Sequence, residues 1–195
     1  YSGAVVKLLS PLALLSISAL ISAIGLQLLS ISTGAYIFLA AVLYALGKTY
    51  LWGTMLGVVS ERFPKGGALA LNITSAVGQL GVGIIGAVFL GFIQDGNMDK
   101  KLLEYDQQQG SSFHQKLVTL EKTSIFGNYS AIDYSLLSQE EESTQALVSA
   151  VENQAKKSAL STVSILPMGL FIFFIFLIFY FNRKGGYKPV NIDTH

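Results

Sequence analysis

One lysine stands where a lysine is costly. Lys48 lies inside the run Y-I-F-L-A-A-V-L-Y-A-L-G-K-T-Y-L-W, with Tyr44 four residues before it and Trp52 four residues after. In a helix that spacing puts all three on one face. A cation between two rings can hold an anionic or hydroxylated solute by charge, hydrogen bonding and stacking. Cation–π contact with Trp52 would also stabilise the ammonium. Helix–helix packing is the competing role for both rings. Gln79 is a further candidate solute contact, with interhelical hydrogen bonding as its alternative. Other chemistry is hard to build from these residues. His114 and His195 are the only histidines, and cysteine is absent, so neither a histidine cluster nor a thiolate metal site is expected. There is no phosphate loop, no pair of catalytic carboxylates on a defined scaffold and no nucleophile–His arrangement. The residues therefore point away from an enzyme and imply no cofactor and no metal. A membrane-embedded enzyme ranks last among the readings, since its catalytic groups would have to be invisible.

The elements that position Lys48 are set by where charge is missing. Only 13% of the 195 residues are charged and 51% are hydrophobic, with a net charge of +1. That balance excludes a disordered chain or a nucleic-acid binder. Four stretches, about 8–29, 35–60, 68–94 and 159–182, contain a single charge, Lys48. Each exceeds the roughly 20 residues a helix needs to cross the hydrocarbon layer. An isolated apolar strand would leave backbone groups unpaired in lipid, so helix is the expected state. The fold class is thus an all-α membrane protein with four transmembrane helices. Lys48 has roughly 17–20 Å of helix on either side. A stem reaching about 6 Å cannot snorkel that far. Facing lipid there would cost at least about 2.5–3.5 kcal/mol. Lys48 is therefore expected to face a polar cavity, or to pair with a carboxylate from outside these four spans, none of which carries Asp or Glu.

The spans differ in composition. The first is rich in Leu, Ile, Ser and Ala, with Pro11 in its first turn, and could face lipid over much of its surface. The third carries Gly83, Ala87 and Gly91 at a spacing of four, which predicts a helix packed among others. The fourth is bulky and apolar on every face from Met168 to Phe181, as a lipid-exposed peripheral helix would be, and Pro167 should kink it.

Between the third and fourth spans, residues 95–158 form a long loop expected to be partly helical. A capping box is expected at Ser138–Glu141, opening a helix through Ala146, Leu147, Ala150 and Val151. The loop holds too little apolar material to promise a core of its own. Asn128-Tyr-Ser130 matches a glycosylation acceptor pattern. Lys7, Arg62, Lys65, Arg183, Lys184 and Lys188 crowd the short segments 1–7, 61–67 and 183–195, whereas the long loop carries most of the carboxylates. The positive-inside tendency then places 61–67 and the tail in the cytoplasm and the loop outside.

The stretch Gly47 to Asn72, G-K-T-Y-L-W-G-T-M-L-G-V-V-S-E-R-F-P-K-G-G-A-L-A-L-N, resembles the tenth and eleventh helices of a major facilitator superfamily transporter. Its E-R-F-P-K-G-G link is of the type that joins those helices. The tail Arg183-Lys-Gly-Gly-Tyr-Lys-Pro-Val190 looks like the close of a bacterial sugar-permease-like branch. The resemblance covers all four spans and implies helices nine to twelve of a twelve-helix fold in the bacterial inner membrane. The other eight helices would be partners missing from this chain. It further implies alternating access around a midplane site for a small polar solute such as a sugar, nucleoside or organic anion. Under it, Lys48, Tyr44, Trp52 and Gln79 contribute to solute binding. Glu61, Arg62 and Lys65 form a link that helps hold one state, or else a plain helix–helix turn. A small tetraspan scaffold or accessory subunit is the alternative from another class. Such a native protein is expected to begin with Met, whereas Tyr1 stands first.

Overall fold

The computed structural model describes residues 10–190. The segment 1–7 that entered the charge argument lies outside them, as do Asp193 and His195. Helices α1 (Pro11–Ile31) and α2 (Tyr36–Arg62) lead through a 3-10 turn at Pro64–Gly66 into α3 (Gly67–Leu80). A π-helical segment, Gly81–Gly86, precedes α4 (Ala87–Gln109) and α5 (Phe113–Leu117). Strands β1 (Leu120–Ser124) and β2 (Gly127–Ala131) follow, then α6 (Tyr134–Leu137), α7 (Glu142–Val163) and α8 (Ile165–Arg183). The chain is mostly helical. Four helical stretches, Pro11–Ile31, Tyr36–Arg62, Pro64–Gln109 and Glu142–Arg183, are long and apolar enough to cross a membrane. The described residues form two compact units, one holding those up to Leu80 with those from Ser164 onward, the other Gly81–Val163.

In the first unit α1 is the central helix. Ser10 caps it by accepting from the Ala13 amide at 3.3 Å, and Pro11 occupies a position where its missing N–H costs nothing. Leu12, Leu15 and Ala19 are buried against Phe174 of α8 and against Leu51, Met55 and Val58 of α2. Ser16, Ser18, Ser22 and Ala23 are buried as well. The expected lipid-facing role for this helix is therefore corrected: its small residues let two helices close on it. A Cβ on Gly25 would stand 2.6 Å from the Tyr44 backbone, and one on Gly47 would stand 2.5 Å from Ser22 Oγ. The seam is close because neither glycine has a side chain.

Within this chain the third helix, expected to pack among others, is left uncovered. Leu69, Val77 and Leu80 are 67%, 64% and 59% exposed, and α3 has no buried residue. Its small residues leave an apolar surface without a partner among the described residues. On α8, the bulky side chains are mostly exposed, as expected, although Phe174 seals the α1 face. The helix break stands at Ser164 rather than at Pro167. Proline lacks the N–H that would reach the carbonyl four residues earlier, so the preceding turn opens.

The second unit has a core that its apolar content did not promise. Leu102, Leu117 and Val148 are fully buried, joined by Met98, Ile132, Leu137, Val151 and Ala155. Apolar positions from α4, α5, α6 and α7 thus make one core around a long-range fold. The β-hairpin is an addition to the expected helices. It pairs antiparallel with Leu120 opposite Ala131 and Lys122 opposite Tyr129. Phe126 at its turn meets Phe89 at 5.0 Å, and Tyr129 meets Phe92 edge-on at 5.4 Å. Buried Asp106 accepts from the His114 amide at 2.7 Å and from Ser111, which ties the α4–α5 corner. The expected capping box does not form. Ser138 donates instead to the Ser135 carbonyl at 2.8 Å, and α7 starts at Glu142 with the Glu141 carbonyl accepting from Gln145. The short helix α6 has claimed Ser138, so the cap moves three residues on.

Candidate functional site

Lys48 is exposed on α2. Each residue turns an α-helix by about 100°. Tyr44 and Gly47 face α1, where the Tyr44 backbone passes Gly25 and Gly47 passes Ser22. Trp52 faces α3, with its ring edge over Gly78, where an added Cβ would stand 2.8 Å away. Lys48 occupies the sector of α2 between those two contacts. Among the described residues no carboxylate pairs with its ammonium. The cation–π contacts belong to Arg62, Lys122 and Lys184, so the expected stacking of Lys48 on Trp52 is absent.

Packing therefore engages the Trp52 ring and, at Tyr44, the backbone and Cβ. Tyr44 is half-buried at the α1 seam and Trp52 stays 40% exposed while resting on α3. Gln79, the residue after Gly78, is exposed. Tyr44, Lys48 and Trp52 thus share one side of α2, and Gln79 follows Gly78, the α3 residue that meets Trp52. A groove of about 340 Å³ lined by Thr49, Tyr50, Gly53, Thr54 and Gly57 lies on the opposite face of α2, away from Lys48.

A second set of expected residues is brought together far more tightly. Glu61 and Arg62 end α2, and the chain after α8 folds back over them. Tyr187 donates its phenol to Glu61 Oε2 at 2.8 Å, and the Val190 amide donates to the Glu61 carbonyl at 2.9 Å. Arg62 donates to the Lys188 carbonyl at 3.0 Å while its guanidinium lies 5.0 Å from the Phe181 ring centre. Phe181 and Tyr187 meet edge-to-face at 5.6 Å. Burial raises the Tyr187 phenol well above its ordinary range, and the bond to Glu61 adds to the rise. Glycine permits the reversal: Gly185 and Gly186 have φ of +90° and +91°, which side chains disfavour. Lys65 stands in the 3-10 turn beside this cluster and is exposed.

The tail partners Phe181 and Tyr187 were not among the expected site residues. The one sequence signal for them was Gly185-Gly186, which stops α8 and turns the next aromatic residue back. Among the described residues, no three His, Asp or Glu side chains gather as a metal site. No protein-family model, curated protein or solved structure matches the chain.

Proposed function

We propose that the chain is the C-terminal part, helices nine to twelve, of a major facilitator superfamily secondary transporter. It moves a small polar solute (a sugar, nucleoside or organic anion) by alternating access. The observation that carries this is the Lys48 ammonium, halfway along an apolar helix with no carboxylate or ring partner among the described residues. Such a cation is tolerated at membrane depth when it meets water or a bound solute. The resemblance of Gly47–Asn72 supports the same reading independently. In it, Lys48 binds the solute, Tyr44 and Trp52 border the site, and Gln79 adds a hydrogen bond. The bacterial inner membrane, with the tail in the cytoplasm, completes the proposal and rests on the charge asymmetry.

Alternating access needs contacts that differ between its two states. The clasp of the tail on Glu61 and Arg62 is suited to that role, since its bonds can be exchanged without disturbing the α1–α2 seam. The deciding experiment measures solute uptake by the complete transporter carrying Lys48→Ala, with membrane abundance measured in parallel. A loss of at least tenfold in uptake at unchanged abundance is expected. Undiminished uptake would remove Lys48 from the solute site.

A further inference from the structure

We infer that the end of the helix bundle that carries the 3-10 turn binds an anionic phospholipid. A pocket of about 460 Å³ opens there between the turn, the start of α3 and the tail. Its floor is apolar, made by Phe63, Leu69, Ile73 and Val190, and its polar edge is Arg62 and Lys65. Ile73 lies six residues beyond Gly67, where α3 starts, so the floor runs roughly 9 Å along α3 from the turn that carries Lys65. Cations at one end and hydrocarbon along the other match a phosphodiester with its acyl chain.

Charge complementarity selects that occupant over an uncharged lipid or a helix. Arg62, Lys65, Arg183, Lys184 and Lys188 all belong to this end of the bundle, because the tail is bonded to the end of α2. Against them, Glu61 is the one carboxylate of these segments among the described residues, and it is occupied by Tyr187. Lys65 forms no ion pair among the described residues. A basic pocket beside apolar helices is a recurrent headgroup site. A free phosphate would leave the apolar floor wet, whereas a lipid covers it. This inference needs only that the apolar helices lie in a bilayer and is independent of the transport reading.

The test is native mass spectrometry of the purified full chain, released from nanodiscs of equal phosphatidylglycerol and phosphatidylcholine. Retained phosphatidylglycerol is expected to exceed phosphatidylcholine at least fivefold. Lys65→Gln should cut that excess to below half and Lys65→Arg should restore it. Lys100→Gln, which removes an equal charge from α4, should leave it unchanged. Equal retention of both lipids, or equal loss with Lys65→Gln and Lys100→Gln, would overturn the site. Glycerol 3-phosphate added in excess should fail to displace the lipid; displacement by it would show that only the headgroup is read. Leu69→Asp places an anion on the apolar floor and should abolish the excess even if Lys65→Gln is poorly folded. Full retention by a folded Leu69→Asp chain would also overturn it.

Discussion

At the level of single residues, Tyr187 carries the clearest titration. Its proton is the one that bonds Glu61, so the interaction exists only while the phenol is neutral. The folded state raises the Tyr187 pKa above its ordinary 10.0. A raised value means the contribution is complete below pH 10.0 and is lost as pH rises through the folded-state value. Ionised Tyr187 would also face the Glu61 carboxylate, so the clasp should open rather than merely weaken. Tyr187→Phe keeps the ring against Phe181 and removes only the hydroxyl, whose bond to a carboxylate is worth about 1.5–3 kcal/mol. The chain has no cysteine, so Pro189→Cys gives a unique site for a spin label. Label mobility in the wild-type background should be low at neutral pH and increase above pH 10. In the Tyr187→Phe background it should be higher at neutral pH and show no such step. Equal mobility in the two backgrounds at neutral pH would mean that Tyr187 does not hold the tail.

At the level of elements, the close α1–α2 seam makes a prediction that separates its glycines from Gly53 and Gly57 of α2. Gly25→Ala would press a methyl into the Tyr44 backbone, and Gly47→Ala would press one into Ser22 and the Ser18 carbonyl. Backbone atoms of Tyr44 and of Ser22 stand 2.6 Å from the added carbon and cannot swing aside, so the helices must part, at about 1–3 kcal/mol each. Gly53 and Gly57 meet nothing within 4 Å, and alanine there should be neutral or stabilising by up to about 1 kcal/mol. Thermal unfolding in detergent, compared across the four variants, checks the pattern. These elements also show what the sequence made legible. Charge-free runs located all four apolar helices, because exclusion of charge depends on each run alone. Which helix is central depends on neighbours, and there the small residues of α1 were outweighed by its leucines. The hairpin was hidden for a different reason. Leu120–Ser124 is mostly polar and exposed, so it carries no alternating pattern, and its anchors Phe89 and Phe92 lie on α4. Lys48 was legible as the lone charge of an apolar run, whereas the packing of Trp52 on Gly78 belongs to the tertiary structure.

For the molecule as a whole, the separation into two units bears on what the 95–158 segment does. From sequence it reads as a tether or a cap, and removing residues 99–135 is expected to leave the membrane helices assembled. The units sharpen that expectation into two opposite outcomes from one deletion. Leu102, Leu117 and Ile132 belong to the second core and fall inside the deleted stretch, as does the whole hairpin. Losing three buried side chains of this size removes more than the few kcal/mol that hold a small domain together. By contrast, Leu12, Leu15, Ala19 and Phe174, which hold the first unit, all lie outside it. Neither the Gly25 and Gly47 contacts nor the clasp on Glu61 and Arg62 uses a residue from the deleted stretch. The shortened chain should therefore still insert, and a spin label at position 189 should keep its low mobility. Residues 142–163, robbed of the core that buries Val148 and Val151, should become sensitive to added protease. A shortened chain that fails to insert, or whose tail label is released, would show that the first unit depends on the second.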